Sequence, residues 1–109
     1  MSTPLAPPRI RIPRTARPGE VIEIRTLIEH RMETGIRHDG TAAPPRDMLG
    51  RMIVTRDGVA ILTADLRNAT ATNPYHVFFV RMERTAEFAF VWQDDRGQSV
   101  RATARVVVA

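Results

Sequence analysis

The sequence predicts an all-β protein, an immunoglobulin-like antiparallel β-sandwich of about seven strands. Three observations predict it: apolar residues alternate with period two in run after run, turn residues fall at short intervals, and no stretch has a helical period. A chain of 109 residues fits one domain, and a domain of that size buries roughly two-thirds of the surface its unfolded chain exposes. The sequence has no Cys, so the architecture is implied without the bridging Cys pair of antibody domains.

The first eight residues, with Pro4, Pro7 and Pro8, read as a disordered N-terminal tail, leaving 9–109 as the single domain. A short strand is expected from Arg9 to Ile12. After the turn signal Arg17-Pro18-Gly19, the residues Ile22, Ile24 and Ile28 share one parity while Glu23, Arg25 and Glu29 take the other, the pattern of a strand with one buried face. Thr26 fits either face. The segment from Gly35 to Gly50, rich in Gly, Pro and charge, is expected to be the longest loop, and loops of that length in compact domains often carry function.

Further strands are expected at Met52 to Thr55, Val59 to Leu66 and Tyr75 to Met82. Asp57-Gly58 predicts a tight hairpin over Ile53 to Leu62, because such a turn needs positive φ, which Asp tolerates and Gly adopts freely. Val77 to Val80 is apolar at every position and reads as a central strand covered on both sides. Phe88, Phe90 and Trp92 alternate with Glu87, Ala89 and Val91, which places Trp92 in the middle of the core. Val100, Ala102, Ala104, Val106 and Val108 alternate with Arg101, Thr103 and Arg105, and Asp94-Asp95-Arg96-Gly97 supplies the turn between these two strands.

Charge narrows function only slightly. The balance is +4 and all basic residues are Arg, so the pI of about 11.2 overstates the polarity of the surface. Nucleic acid is disfavoured: Phe88, Phe90 and Trp92 follow a core pattern and offer no stacking platform, and no zinc-finger or RRM signature is present. No apolar run has the roughly 20 residues of a membrane span, and MSTPLAPPRIRIP lacks the n-region and h-region of a secretory signal. On the residues alone the expectation is a soluble cytosolic protein.

The candidate functional residues concentrate in TLIEHRMETG, from Thr26 to Gly35, where a strand runs into a polar corner. His30 shares parity with Ile28 and is expected to be a partly buried, hydrogen-bonded His more often than a functional one. Glu33, Thr34 and Gly35 read as a stiff strand-ending corner or, equally, as a preorganised contact surface with Met32 as an adaptable apolar contact. Asn73, Pro74 and Tyr75 divide in the same way between turn chemistry and contact. Arg9, Arg11, Arg14 and Arg17 form a basic stripe that reads as a solvated strand face before a binding strip.

Catalysis has little support. His30, His38 and His76 lack metal-ligand spacing, so no metal or other cofactor is expected. Ser2 and Ser99 sit in no GxSxG elbow and have no base positioned by sequence. Asp94 and Asp95 read as shapers of the hairpin ending at Gly97.

GEVIEIRTLIEHRMETG from Gly19 to Gly35, ADL at Ala64 to Leu66, NPY at Asn73 to Tyr75 and F-x-F-x-W-x-D-D-x-G from Phe88 to Gly97 together resemble the SoxZ family, over about residues 9 to 108. The resemblance implies an immunoglobulin-like sandwich with no catalytic group, paired with a SoxY-like subunit that carries sulfur intermediates of thiosulfate oxidation on a Cys. It also implies transient encounters with other Sox enzymes and a periplasmic location reached by co-export with a signal-bearing partner. His30, Met32, Glu33, Thr34, Gly35, Asn73, Pro74 and Tyr75 are the expected partner-binding residues. The competing expectation is a free-standing β-sandwich that binds an anionic ligand or acidic protein through Arg9, Arg11 and Arg14.

Overall fold

The structure is a computed structural model that describes residues 7–28, 49–66, 75–94 and 97–109. Eight strands occur among them: β1 (Arg9–Arg11), β2 (Thr15–Ala16), β3 (Glu20–Leu27), β4 (Leu49–Arg56), β5 (Val59–Asp65), β6 (Tyr75–Met82), β7 (Ala86–Asp94) and β8 (Ser99–Val108). They form two sheets, one of three strands in the order β1-β3-β6 and one of five in the order β2-β8-β7-β4-β5. This is the expected two-layer sandwich. It has one strand more than anticipated, because the N-terminal segment divides: β1 pairs with β3 in one sheet, and after Pro13, which has no N–H to donate, β2 joins the other. The β2–β8 pair is parallel, whereas every other pair is antiparallel.

Alternation explains which residues meet between the layers. Ile22, Ile24, Thr26 and Ile28 face inward from β3 and the residue that follows it, and Ala86, Phe88, Phe90, Trp92 and Asp94 face inward from β7. Met52 and Val54 of β4, Met82 of β6 and Val106 of β8 join the core, with Ala16 of β2 and Leu66 just after β5. Trp92 lies in its middle at 1 % exposure, stacked on Phe90 with ring centroids 6.3 Å apart. Thr26, which fitted either face, lies inside, and its hydroxyl donates to Met52 Sδ at 3.7 Å across the sandwich.

The turns also follow the sequence. Asp57 (φ 50°) and Gly58 (φ 84°) join β4 to β5, a pair of positive values that suits a two-residue hairpin. Gly58→Ala is expected to cost about 1–2 kcal/mol, since a Cβ is strained in the left-handed region. Thermal unfolding checks this, and an unchanged Tm would contradict it. At the β7–β8 turn, Asp94 Oδ1 accepts the Gln98 N–H at 2.8 Å and Gly97 takes a φ of 80°, so Asp94 shapes the hairpin as expected. Asp95 lies outside the described residues, as do residues 1–6 of the N-terminal tail. Of the Gly35 to Gly50 segment only Leu49 and Gly50 are described, and they belong to β4 rather than to a loop.

Val77 to Val80 departs from expectation. Instead of lying centrally with both faces covered, β6 is the terminal strand of the three-stranded sheet among the described residues. Phe78 and Val80 pack inward while Val77 and Phe79 face out, Phe79 at 66 % exposure. Among the described residues β6 pairs with β3 alone, and the second layer covers only the face of Phe78 and Val80.

Candidate functional site

The strand ends that flank the candidate segments lie side by side. Leu27 at the end of β3 pairs directly with Tyr75 at the start of β6. The chain leaves β3 toward the TLIEHRMETG corner and enters β6 from Asn73-Pro74, so these two candidate segments attach to neighbouring strand ends. His30, Met32, Glu33, Thr34, Gly35, Asn73 and Pro74 themselves lie outside the described residues. Tyr75 lies within them, half exposed on the outer face. Leu49, Asp65 and Asp94, where β4 begins and β5 and β7 end, lie together at one end of the second sheet. The Thr26–Met52 contact brings the corresponding ends of the two layers together.

The outer face of the three-stranded sheet follows from register. Residues directly opposite in an antiparallel pair point to the same side. Glu23 opposes Phe79, Arg25 opposes Val77, Leu27 opposes Tyr75 and Val21 opposes Arg81, while Arg9 and Arg11 of β1 oppose Leu27 and Arg25. Tyr75, Val77 and Phe79 therefore form an apolar stripe along β6, widened by Val21, and all four are exposed. Among the described residues, Arg9, Arg11, Arg25 and Arg81 surround it against the single carboxylate of Glu23, which accepts from Arg25 Nε at 2.5 Å. That hydrogen bond and the attraction behind it raise the Arg25 pKa, so its charge is permanent.

A shallow groove of about 390 Å³ opens beside the stripe, lined by Arg9, Ile10, Arg11, Arg25, Thr26, Leu27 and Tyr75. The N-terminal basic stripe is thus split. Arg9 and Arg11 line this groove, but Arg14 lies beside the other sheet, where its carbonyl accepts the Val107 N–H, and Arg17 lies in the turn back to β3, where its N–H donates to Glu20 Oε1. Arg25 joins Arg9 and Arg11 because register places it there, which no spacing in the sequence announced. Val77 and Phe79 carry a visible signal in the sequence, the unbroken apolar run, whose pattern points to burial.

His76 faces inward opposite Thr26, and its buried Nδ1 has no hydrogen-bond partner among the described residues. Burial lowers its pKa below the ordinary value of about 6.5. The unfolded chain therefore binds the extra proton in mild acid: the contribution to stability is complete above about pH 6.5 and is lost as pH falls through the lowered folded value. Replacing His76 with Gln is expected to flatten the fall in Tm between about pH 7 and pH 5, and an identical slope in the variant would contradict it.

Among the described residues no group of three or more His, Cys, Asp or Glu converges on a point. No helix of the described structure is long and apolar enough to cross a membrane. The fold and this surface define a two-sheet β-sandwich that carries an exposed apolar strand face with arginines around it. The chain belongs to the SoxZ family of sulphur oxidation proteins, whose family model matches residues 10–105.

Solved structures share the fold. The sulfur carrier protein SoxY from Chlorobium limicola f thiosulfatophilum superposes with a TM-score of 0.68 at 15 % identity, covering 94 % of this chain and 78 % of that one. A superoxide reductase (neelaredoxin) from Ignicoccus hospitalis, the E23A form, gives 0.74 at 12 % identity over 94 % and 80 %. A putative superoxide reductase from Thermotoga maritima gives 0.60 at 12 % over 94 % and 85 %. At these identities the likeness is one of fold alone. The comparison with curated proteins gave no match.

Proposed function

We propose that this chain is the non-catalytic subunit of a sulfur-compound carrier in thiosulfate oxidation. It supports a SoxY-like partner that holds the sulfur intermediates on a cysteine, and it meets other Sox enzymes transiently as the carrier circulates. The observation that carries this reading is a SoxZ family match over nearly the whole chain in a sequence with no thiol of its own. A covalent sulfur carrier needs a thiolate nucleophile, so the reactive sulfur belongs to the companion. The carrier works in the periplasm, which this chain reaches by export together with a signal-bearing SoxY-like subunit.

Co-expression with a Cys-bearing SoxY-like subunit tests the reading: the two are expected to co-purify as a heterodimer, and two separate monomers at micromolar concentration would overturn it. Within that complex, Met32→Arg or Glu33→Lys is expected to weaken association and leave this domain folded. Affinities equal to wild type would discard the TLIEHRMETG corner as a contact.

The second reading, anion binding by a free-standing sandwich, takes support from the groove in which Arg9, Arg11 and Arg25 gather around Tyr75. A monomer that binds polyanions in a salt-sensitive way would favour it.

A further inference from the structure

We infer that the outer face of the β1-β3-β6 sheet is the surface on which the SoxY-like partner docks, and that the partner meets it with an apolar patch bordered by carboxylates. The inference rests on the proposed carrier role and adds to it the surface and the chemistry of the partner.

The first argument is the mismatch in β6. A strand apolar at Val77, Phe78, Phe79 and Val80 has the pattern of one covered on both faces, yet among the described residues only the face of Phe78 and Val80 is covered. Tyr75, Val77 and Phe79, at 53 %, 42 % and 66 % exposure, stand in a row at alternate positions with Val21 at 49 % beside them. Solitary exposed apolar residues are ordinary, whereas a contiguous stripe with two aromatics bordered by polar groups marks an interface.

The second argument is charge, and it selects the occupant. The face carries Arg9, Arg11, Arg25 and Arg81 against Glu23. A second copy of this chain would set these arginines against their own kind on a molecule already at +4. A partner with carboxylates around an apolar centre is attracted, and the groove lined by Arg9, Arg11 and Arg25 receives one of those carboxylates next to the Tyr75 ring.

The third argument is area. Two eight-residue strands about 4.8 Å apart, with the three-residue β1 beside them, give a face of roughly 300 Å² in plan. A stable complex buries about 800 Å² per partner. The partner therefore extends past the sheet.

The test uses the complex with the SoxY-like subunit. Phe79→Ala and Val77→Glu in this chain are each expected to weaken association at least tenfold, with Tm and far-UV circular dichroism unchanged. Val77→Glu adds a carboxylate opposite Arg25, which the sheet accommodates, so the loss is at the interface. Val59→Glu, at the exposed hairpin end of β5 in the other sheet, is expected to bind as wild type. Arg25→Glu is expected to slow association and to reduce its dependence on salt.

Wild-type affinity in both β6 variants overturns the docking face and leaves the carrier role standing. Failure of the unaltered chain to bind the SoxY-like subunit overturns both. Self-association of the isolated chain that Phe79→Ala abolishes would make the occupant a second copy and would equally overturn the inference.

Discussion

Trp92→Ala is expected to destabilise the domain by about 3–5 kcal/mol, the range for large aromatic side chains removed from a packed core. Trp92 is fully buried and stacked on Phe90, and its strand lies between β4 and β8, so neither neighbour can move in without breaking a ladder. A domain of this size is stable by about 5–15 kcal/mol, so the variant stands near the limit of folding. Each kcal/mol corresponds to about 4–8 °C in Tm. A fall of at least 12 °C in thermal denaturation is therefore expected, and a loss below 1 kcal/mol would show that Trp92 is not central to the packing.

The second large effect is all or none. When the complex with its SoxY-like subunit is incubated with thiosulfate and the other Sox enzymes, intact-mass measurement is expected to find every sulfur adduct on the cysteine-bearing subunit. This chain stays at its unmodified 12.3 kDa. Oxidation of its five methionines is separable from an adduct, because a thiol reductant removes sulfur from a cysteine and leaves a methionine sulfoxide in place. A reductant-labile adduct on this chain would end the non-catalytic reading.

Period-two alternation carried most of the fold. Ile22, Ile24, Phe88, Phe90, Trp92 and Val106 lie inside as their parity demands, and Asp57-Gly58 makes the turn that its chemistry favours. Alternation is a local property, however, and pairing is not. That β1 and β2 belong to different sheets depends on where the chain crosses between layers, and that Arg25 lies beside Arg9 and Arg11 depends on register across a sheet.

β6 shows the limit most clearly. An apolar run states that both faces of a strand avoid water, but it does not say whether the cover belongs to the same chain. Phe79 is therefore both a correct reading of hydrophobicity and an incorrect reading of burial within one molecule. Of the candidate contact residues, Tyr75 is the one that the described structure places, and it stands at the end of the exposed stripe of β6.

The divided N-terminal strand has a consequence for handling the protein. Residues 9–16 clasp both layers, β1 along the margin of β3 and β2 along the margin of β8. A single protease nick near Pro13 would loosen both ends of the clasp and bare two rows of backbone amides, each a template for a stray strand. Clipped preparations would then clump into oligomers, and the intact length of this short strap is an index of sample quality.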